Sequence, residues 1–98
     1  MNIQAMMKQA QALQKNMLKE KEEIDNTIFT GKSSFVTVEL YGTKKVKNIK
    51  IDNSNIDLSD IEMIEDMISI AINNAIDQID KETENKLGKY TKGMPGIF

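Results

Sequence analysis

No glycine or proline interrupts the chain before Gly31, and within that stretch Ile3, Ala10, Met17 and Ile24 recur at every seventh position. Met6 and Leu13 fall on the intermediate d positions of the same heptad pattern. Glu20 occupies the next d position, so the seam fades there. A helix from about Ile3 to Ile24 would be roughly 33 Å long at ~1.5 Å per residue. In a chain of 98 residues, few others can pack against its outer end. A domain this small also buries a modest share of its surface, so a second chain is the natural partner for the seam. The competing arrangement is a helix lying on its own core.

The middle of the chain changes period. "NTIFTG" is a short β-like run ending at Gly31. In "FVTVELY" (Phe35 to Tyr41), Val36, Val38 and Leu40 share one face, and Thr37 and Glu39 the other. Gly42 and Thr43 supply a turn. "KKVKNIKID" returns with Ile49 and Ile51 in phase and Val46 out of phase. A bulge near Lys47 or Asn48 repairs that mismatch. These runs predict a three-stranded antiparallel meander over about 26–52, covered on one face.

A second helix is predicted over about 59–86. Ser59 and Glu62 match the S-x-x-E capping box, and Asp60 and Glu62 suit a helix N-terminus. Ile61, Ile64, Ile68, Ile72, Ala75 and Ile79 follow at helical spacing. Met67, Ile70, Ala71 and Ile76 widen that stripe enough for contact on two sides. Asn73 and Asn74 interrupt it, and either hydrogen-bond across an interface or face water. Gly88, Gly93, Pro95 and Gly96 argue against helix beyond about Gly88, so residues 88–98 read as a flexible tail. The whole, residues 1–98, reads as one domain.

Charge is unevenly placed. The net charge is −2, yet residues 1–19 hold Lys8, Lys15 and Lys19 and no acid. Residues 51–84 hold ten acids and one lysine, and the end of the chain holds Lys86, Lys89 and Lys92. Basic ends around an acidic middle can bind a polyanion at the ends and repel it elsewhere. Lysines that merely solvate a helix are the alternative. Lys44, Lys45, Lys47 and Lys50 also carry two readings. They form a second phosphate patch or guard a sheet edge against pairing with other strands, and the edge role is preferred.

Missing residue types exclude much chemistry. Without histidine and cysteine, the usual general base, thiolate nucleophile and soft metal ligands are absent. Without arginine, no side chain makes the bidentate fork that reads guanine, so nucleic acid would be held by lysine at phosphates. Glu65 and Asp66 are adjacent on a helix and diverge by about 100°, which does not build a catalytic pair. "DNSNIDLSDIEM" departs from an EF-hand loop, with Asp57 for glycine at position six and Met63 for glutamate at twelve. The methionines sit at core spacing rather than in a metal site. No apolar run is long enough to span a membrane. The start lacks signal-peptide character, so the expected compartment is the cytoplasm.

Four segments, in this order and at this length, resemble the YbaB/EbfC family of nucleoid-associated proteins. They are "MMKQAQALQKNM", "TGKSSFVTVELYG", "KNIKID" and "EMIEDMISIAINNAIDQI". The last has Glu62, Ile64, Glu65, Asp66, Ala71, Asn73 and Ala75 in matching places. The chain departs from the family pattern at the short Lys32-Ser33-Ser34 link, at Asn53 where a proline is common, and in lacking arginine. The resemblance implies an α+β fold: an α-β-β-β-α chain with a three-stranded antiparallel sheet, a long projecting N-terminal helix and a tweezer-like homodimer. It implies a non-enzymatic protein of the cytoplasmic nucleoid that binds double-stranded DNA and organises the nucleoid, protects DNA or influences gene expression. No cofactor, metal, membrane or small-molecule substrate is expected.

The expected DNA contacts are Lys8, Lys15, Lys19, Lys86, Lys89 and Lys92. The expected dimer interface holds Met6, Ala10, Leu13, Met17, Met67 and Ile70. The alternative is a protein-interaction adaptor that uses the heptad face and the acidic second helix without DNA.

Overall fold

The computed structural model describes residues 2–91. Helix α1 spans Ile3–Asp25, strands β1, β2 and β3 span Ile28–Ser33, Val36–Tyr41 and Val46–Ile51, and helix α2 spans Ile61–Thr91. The order and the α+β class are those expected. The Asn2 side chain starts α1 by accepting from the Gln4 and Ala5 N–H groups at 3.0 and 3.3 Å, which satisfies two donors that the first turn leaves open. The helix closes where the Asn26 N–H donates to the Glu22 carbonyl at 3.1 Å and the Thr27 hydroxyl donates to the Glu23 carbonyl at 2.7 Å.

The strands form one antiparallel sheet in the order β1-β2-β3. Leu40 pairs with Val46 and Glu39 with Asn48. Lys47 is therefore the extra residue of a bulge, placed where the phase of Val46 requires one. Cross-strand partners share a face. Phe29, Leu40 and Val46 form one row, Gly31, Val38 and Ile49 the next, and Ser33, Val36 and Ile51 the third. All three rows face α2. Lys44 closes the β2–β3 turn with φ 74°, a left-handed conformation that is uncommon for a side chain other than glycine.

Helix α2 lies over β1 and β2. Val36, Val38, Leu40, Ala71 and Ala75 are fully buried, and Phe29, Ile79, Leu87 and Ile24 complete the core. Gly31 sets the depth of this contact, since a Cβ there would run into the Ala71 carbonyl oxygen and the Ala75 backbone nitrogen. Polar groups lock the same face. Gln78 Nε2 donates to the Thr30 carbonyl at 2.8 Å and to Asn74 Oδ1 at 3.0 Å, and Asn74 Oδ1 also accepts from the Lys32 N–H at 3.4 Å. Asn74 is thus engaged inside its own chain, while Asn73 is exposed.

Two boundaries of α2 differ from expectation. Its N-cap is Asp60, whose Oδ1 accepts from the Met63 N–H at 3.1 Å. The Ser59 hydroxyl instead donates to Asp57 Oδ1 at 2.6 Å, so the Ser59–Glu62 box is not formed. At the other end, the helix passes through Gly88 and reaches Thr91. Leu87 and Lys89, on either side of that glycine, meet the last part of α1, and packing there outweighs a glycine cost of about 1 kcal/mol.

Helix α1 runs antiparallel to the final turns of α2, with Ile24 near Ile79 and Leu87 and Glu20 near Lys89. The sheet covers the earlier turns. The two packed elements follow one another along α2, and the molecule measures 70 × 21 × 15 Å. A 31-residue helix supplies about 46 Å of that length, and the overhang of α1 beyond Thr91 accounts for most of the rest.

Candidate nucleic-acid interface

At 100° per residue, Lys8, Lys15 and Lys19 fall within about 40° of one another on α1. The stripe of Ile3, Met6, Ala10, Leu13, Met17 and Ile24 lies on the opposite side of the same helix. Ile24 is buried and Met17 is packed against the core. Since these two settle which side of α1 meets α2, the three lysines point away from the protein body. All three are exposed, and none forms an ion pair among the described residues.

The C-terminal lysines differ. Lys86 approaches Glu82 at 3.9 Å, and Lys89 approaches Glu20 at 3.5 Å. The Lys89 ammonium also sits 5.0 Å from the centre of the Tyr90 ring. The Glu20 charge, followed by Tyr90, raises the Lys89 pKa above the ordinary lysine value. These pairs are exposed and therefore weak, but they orient Lys86 and Lys89 toward carboxylates of their own chain. Lys92 lies outside the described residues. Of the hairpin lysines, Lys44 pairs with Asp80 at 3.1 Å. Lys45, Lys47 and Lys50 sit at or beside the free edge of β3 and form no ion pair among the described residues.

The apolar residues assigned to an interface also divide. Met6, Ala10 and Leu13 are exposed on the overhang of α1, and Ile70 is half exposed on α2. Met17 and Met67 are half-buried against the chain's own core. The Ser33 hydroxyl donates to the Met67 sulfur at 3.2 Å. A further apolar strip lies beyond the residues that periodicity singles out. Val46, Ile49 and Ile51 face the same side as the buried residues of β2, yet remain 40–50% exposed. Strands lie about 4.8 Å apart and a helix is about 10 Å wide, so one helix covers two strands and leaves the third open. A count of one covering helix for three strands is the signal of it that the sequence holds.

The acidic segment before α2 is built from turns. Asp52 accepts from the Ser54 hydroxyl and N–H, and Asp57 from those of Ser59. These hydrogen bonds, the hydroxyl first, hold both carboxyls below the ordinary aspartate pKa. Among the described residues, no group of three or more histidine, cysteine, aspartate or glutamate side chains is arranged to hold a metal ion, and no helix is long and apolar enough to cross a membrane.

Comparison with known proteins adds identity to this geometry. The sequence pattern of the YbaB/EbfC DNA-binding family matches residues 1–94. A nucleoid-associated protein of Lactococcus lactis subsp. cremoris is 53% identical over 97 residues, covering 97% of this chain and 98% of that protein. A nucleoid-associated protein of Ligilactobacillus salivarius is 41% identical, covering 99% of this chain and 95% of its own length. The crystal structure of an uncharacterized Helicobacter pylori protein superposes with a TM-score of 0.75 at 22% identity, over 92% of this chain and 97% of that one. This last likeness establishes the fold.

Proposed function

The chain belongs to the YbaB/EbfC DNA-binding family, a family of nucleoid-associated proteins rather than of enzymes, and from that premise we propose that it binds double-stranded DNA through phosphate contacts made by α1. One observation carries this reading: Lys8, Lys15 and Lys19 share the face of α1 turned away from the protein body, free of carboxylate partners among the described residues. An ammonium group held this way can neutralise a phosphate and release its counterion. A face without arginine positions DNA but does not read bases. The protein therefore works at many sequences, as organising or protecting the nucleoid requires. Lys86 and Lys89 join by exchanging Glu82 and Glu20 for phosphates, and Lys92, next in the sequence after the described residues, is proposed to join them.

Two copies act together in this proposal. Met6, Ala10, Leu13 and Met17 on α1, with Met67 and Ile70 on α2, meet a second copy. The open strip of Val46, Ile49 and Ile51 adds to the apolar surface that needs covering. Two arms then present their lysines to one duplex.

The test is a salt titration of binding to a generic duplex, with dimer state followed by light scattering on the same sample. Six phosphate contacts give a log–log slope of about −5. The double substitution Lys8→Glu and Lys15→Glu lowers affinity at least about tenfold without unfolding the chain. Unchanged affinity in that variant would sink the assignment of the arm. No binding by the native protein even at low salt would point to a protein-interaction adaptor instead.

A further inference from the structure

The face of the sheet turned away from α2 is polar except at one end. Thr37, Glu39 and Tyr41 alternate along β2 with the buried Val36, Val38 and Leu40, so they stand on that outer face. Their partners on the neighbouring strands share it. Lys32 and Lys50 flank Thr37, Thr30 and Asn48 flank Glu39, and Ile28 and Lys45 flank Tyr41. All of these side chains are exposed or half-buried, because α2 takes the other face.

Tyr41 is the aromatic ring of this face. It is 37% exposed and Ile28 opposite it 40%, so pairing across the strands leaves much of both in water. The β2–β3 turn sets Lys45 across from the ring. Lys44 takes the left-handed conformation that a three-residue hairpin loop requires, and the Tyr41 N–H donates to the Lys45 carbonyl at 2.9 Å. The row of Lys32 and Lys50 lies four residues away along β2, roughly 13 Å. Three lysines therefore share the face with one carboxylate, Glu39, and none of the three forms an ion pair among the described residues. These parts suit an unpaired strand of nucleic acid better than a duplex. A base inside a duplex is already stacked on both sides, whereas an unpaired base can lay its flat face on an aromatic ring. Single-strand sites that tolerate any sequence combine such a ring with cations that follow the phosphates.

We propose that the outer face of the sheet binds a single strand of nucleic acid, with one unpaired base stacked on Tyr41 beside Ile28. Lys45 holds a phosphate at that end, and Lys32 and Lys50 hold phosphates a few nucleotides away. This goes beyond the duplex contact of α1 and does not rest on it. Thr30, Thr37 and Asn48 offer neutral polar contacts between the charged ends, and Glu39 is the one charge on the face that opposes the strand. With no arginine in the chain, the face takes any base that stacks.

The experiment follows binding of an oligothymidylate of about twelve nucleotides, the matching oligouridylate and a blunt duplex over a salt series. The variants are Y41L, Y41F and K45Q/K50Q, with K81Q as a control, since Lys81 is exposed but sits on the acidic helix. Y41L should weaken single-strand binding at least about fivefold and leave duplex binding near native, while Y41F keeps the native single-strand affinity. K45Q/K50Q should make the single-strand log–log slope shallower by about 1.4, and K81Q should leave it unchanged. Circular dichroism of each variant should match the native chain. Tyrosine emission reads the site without altering it. The chain has two tyrosines and no tryptophan, so a Y90F chain emits from Tyr41 alone, and saturating oligothymidylate should quench it. Whichever oligonucleotide binds more tightly identifies the strand that the face takes. Native single-strand affinity in Y41L, equal losses in Y41L and Y41F, or unquenched emission at saturation would each overturn the inference. Equal slope changes in K45Q/K50Q and K81Q would overturn it too, by showing only an effect of net charge. Binding of the duplex but of neither single strand by the native protein would overturn it and leave the role of α1 standing.

Discussion

The contact of β1 with α2 and the outer half of α1 are built from similar apolar residues put to opposite uses. At the first, Gly31 lets the strand approach until Ala71 and Ala75 touch it, and Val38 and Leu40 lose all contact with water. On the second, Met6 and Leu13 repeat at regular heptad spacing and stay about half exposed. Regular spacing alone therefore does not say what a helix packs against. It says only that one side is apolar, and the rest of the chain decides whether anything is available to cover it. Here the buried side of α2 is taken by β1, β2 and the end of α1, and nothing among the described residues covers the overhang.

The strongest way to break this contrast is Gly31→Ala. The new methyl would collide with backbone rather than with a side chain that can rotate aside, so strand and helix must separate. The expected loss is about 3 kcal/mol or more in urea unfolding, at the upper end of the overpacking range. A variant as stable as the native chain would mean that β1 and α2 are not closely joined at Gly31.

Next come two leucines of equal size in different settings. Leu40→Ala should cost about 3 kcal/mol at any protein concentration, because it empties a closed core. Leu13→Ala should cost under about 0.5 kcal/mol in dilute protein, where an exposed side chain has little to lose. It should cost more in concentrated protein, where a second copy covers it. Unfolding of both variants at two concentrations separates these behaviours. A large, concentration-independent loss for Leu13→Ala would show that the arm is covered within a single chain.

Smaller effects are expected at the start of α2. Asp60→Ala should cost about 1 kcal/mol and Ser59→Ala much less, because Asp60 holds the first turn. The smallest effect is on acidification. Asp57 has a lowered pKa in the folded chain, so its turn contributes stability above the unfolded aspartate value and loses it as pH falls through the folded one. The Ser59 amide resonance should titrate with a midpoint below the ordinary aspartate value, while amides of β2 stay unchanged over the same range. A Ser59 amide that titrates at the free aspartate value would show that the turn does not persist.

Much of this architecture is legible in the residue pattern. The phase of Val46 against Ile49 and Ile51 calls for one extra residue in β3, and Lys47 is that residue. The unbroken first thirty residues mark α1 nearly to its last turn. The cap of α2 is harder to place, because Ser59 and Asp60 are both good caps. The choice between them depends on Asp57, which captures the serine hydroxyl and leaves the cap to Asp60. Gly88 misleads about the end of α2, because glycine weakens a helix locally and the neighbouring α1 offsets that cost. Least legible is the charge. Six lysines at two basic ends look alike in sequence, but Lys86 and Lys89 meet Glu82 and Glu20 in the fold. Lys8 and Lys15 lie on the overhang of α1 and Lys19 on its packed end, and none of the three forms an ion pair among the described residues. The Glu82–Lys86 pair is an i,i+4 neighbour that helical spacing allows, whereas Glu20–Lys89 depends on how the two helices pack, and heptad spacing carries no trace of that.

The overhanging arm also governs how the molecule behaves in motion. Its radius of gyration is 19.1 Å, against about 13 Å for a compact chain of similar length. That value suits a globular protein of roughly 300 residues. A single chain will therefore tumble slowly, diffuse like a larger particle, and leave a sizing column early enough to be taken for an oligomer. Subunit number for this protein has to come from mass, by light scattering or sedimentation equilibrium, and not from hydrodynamic size.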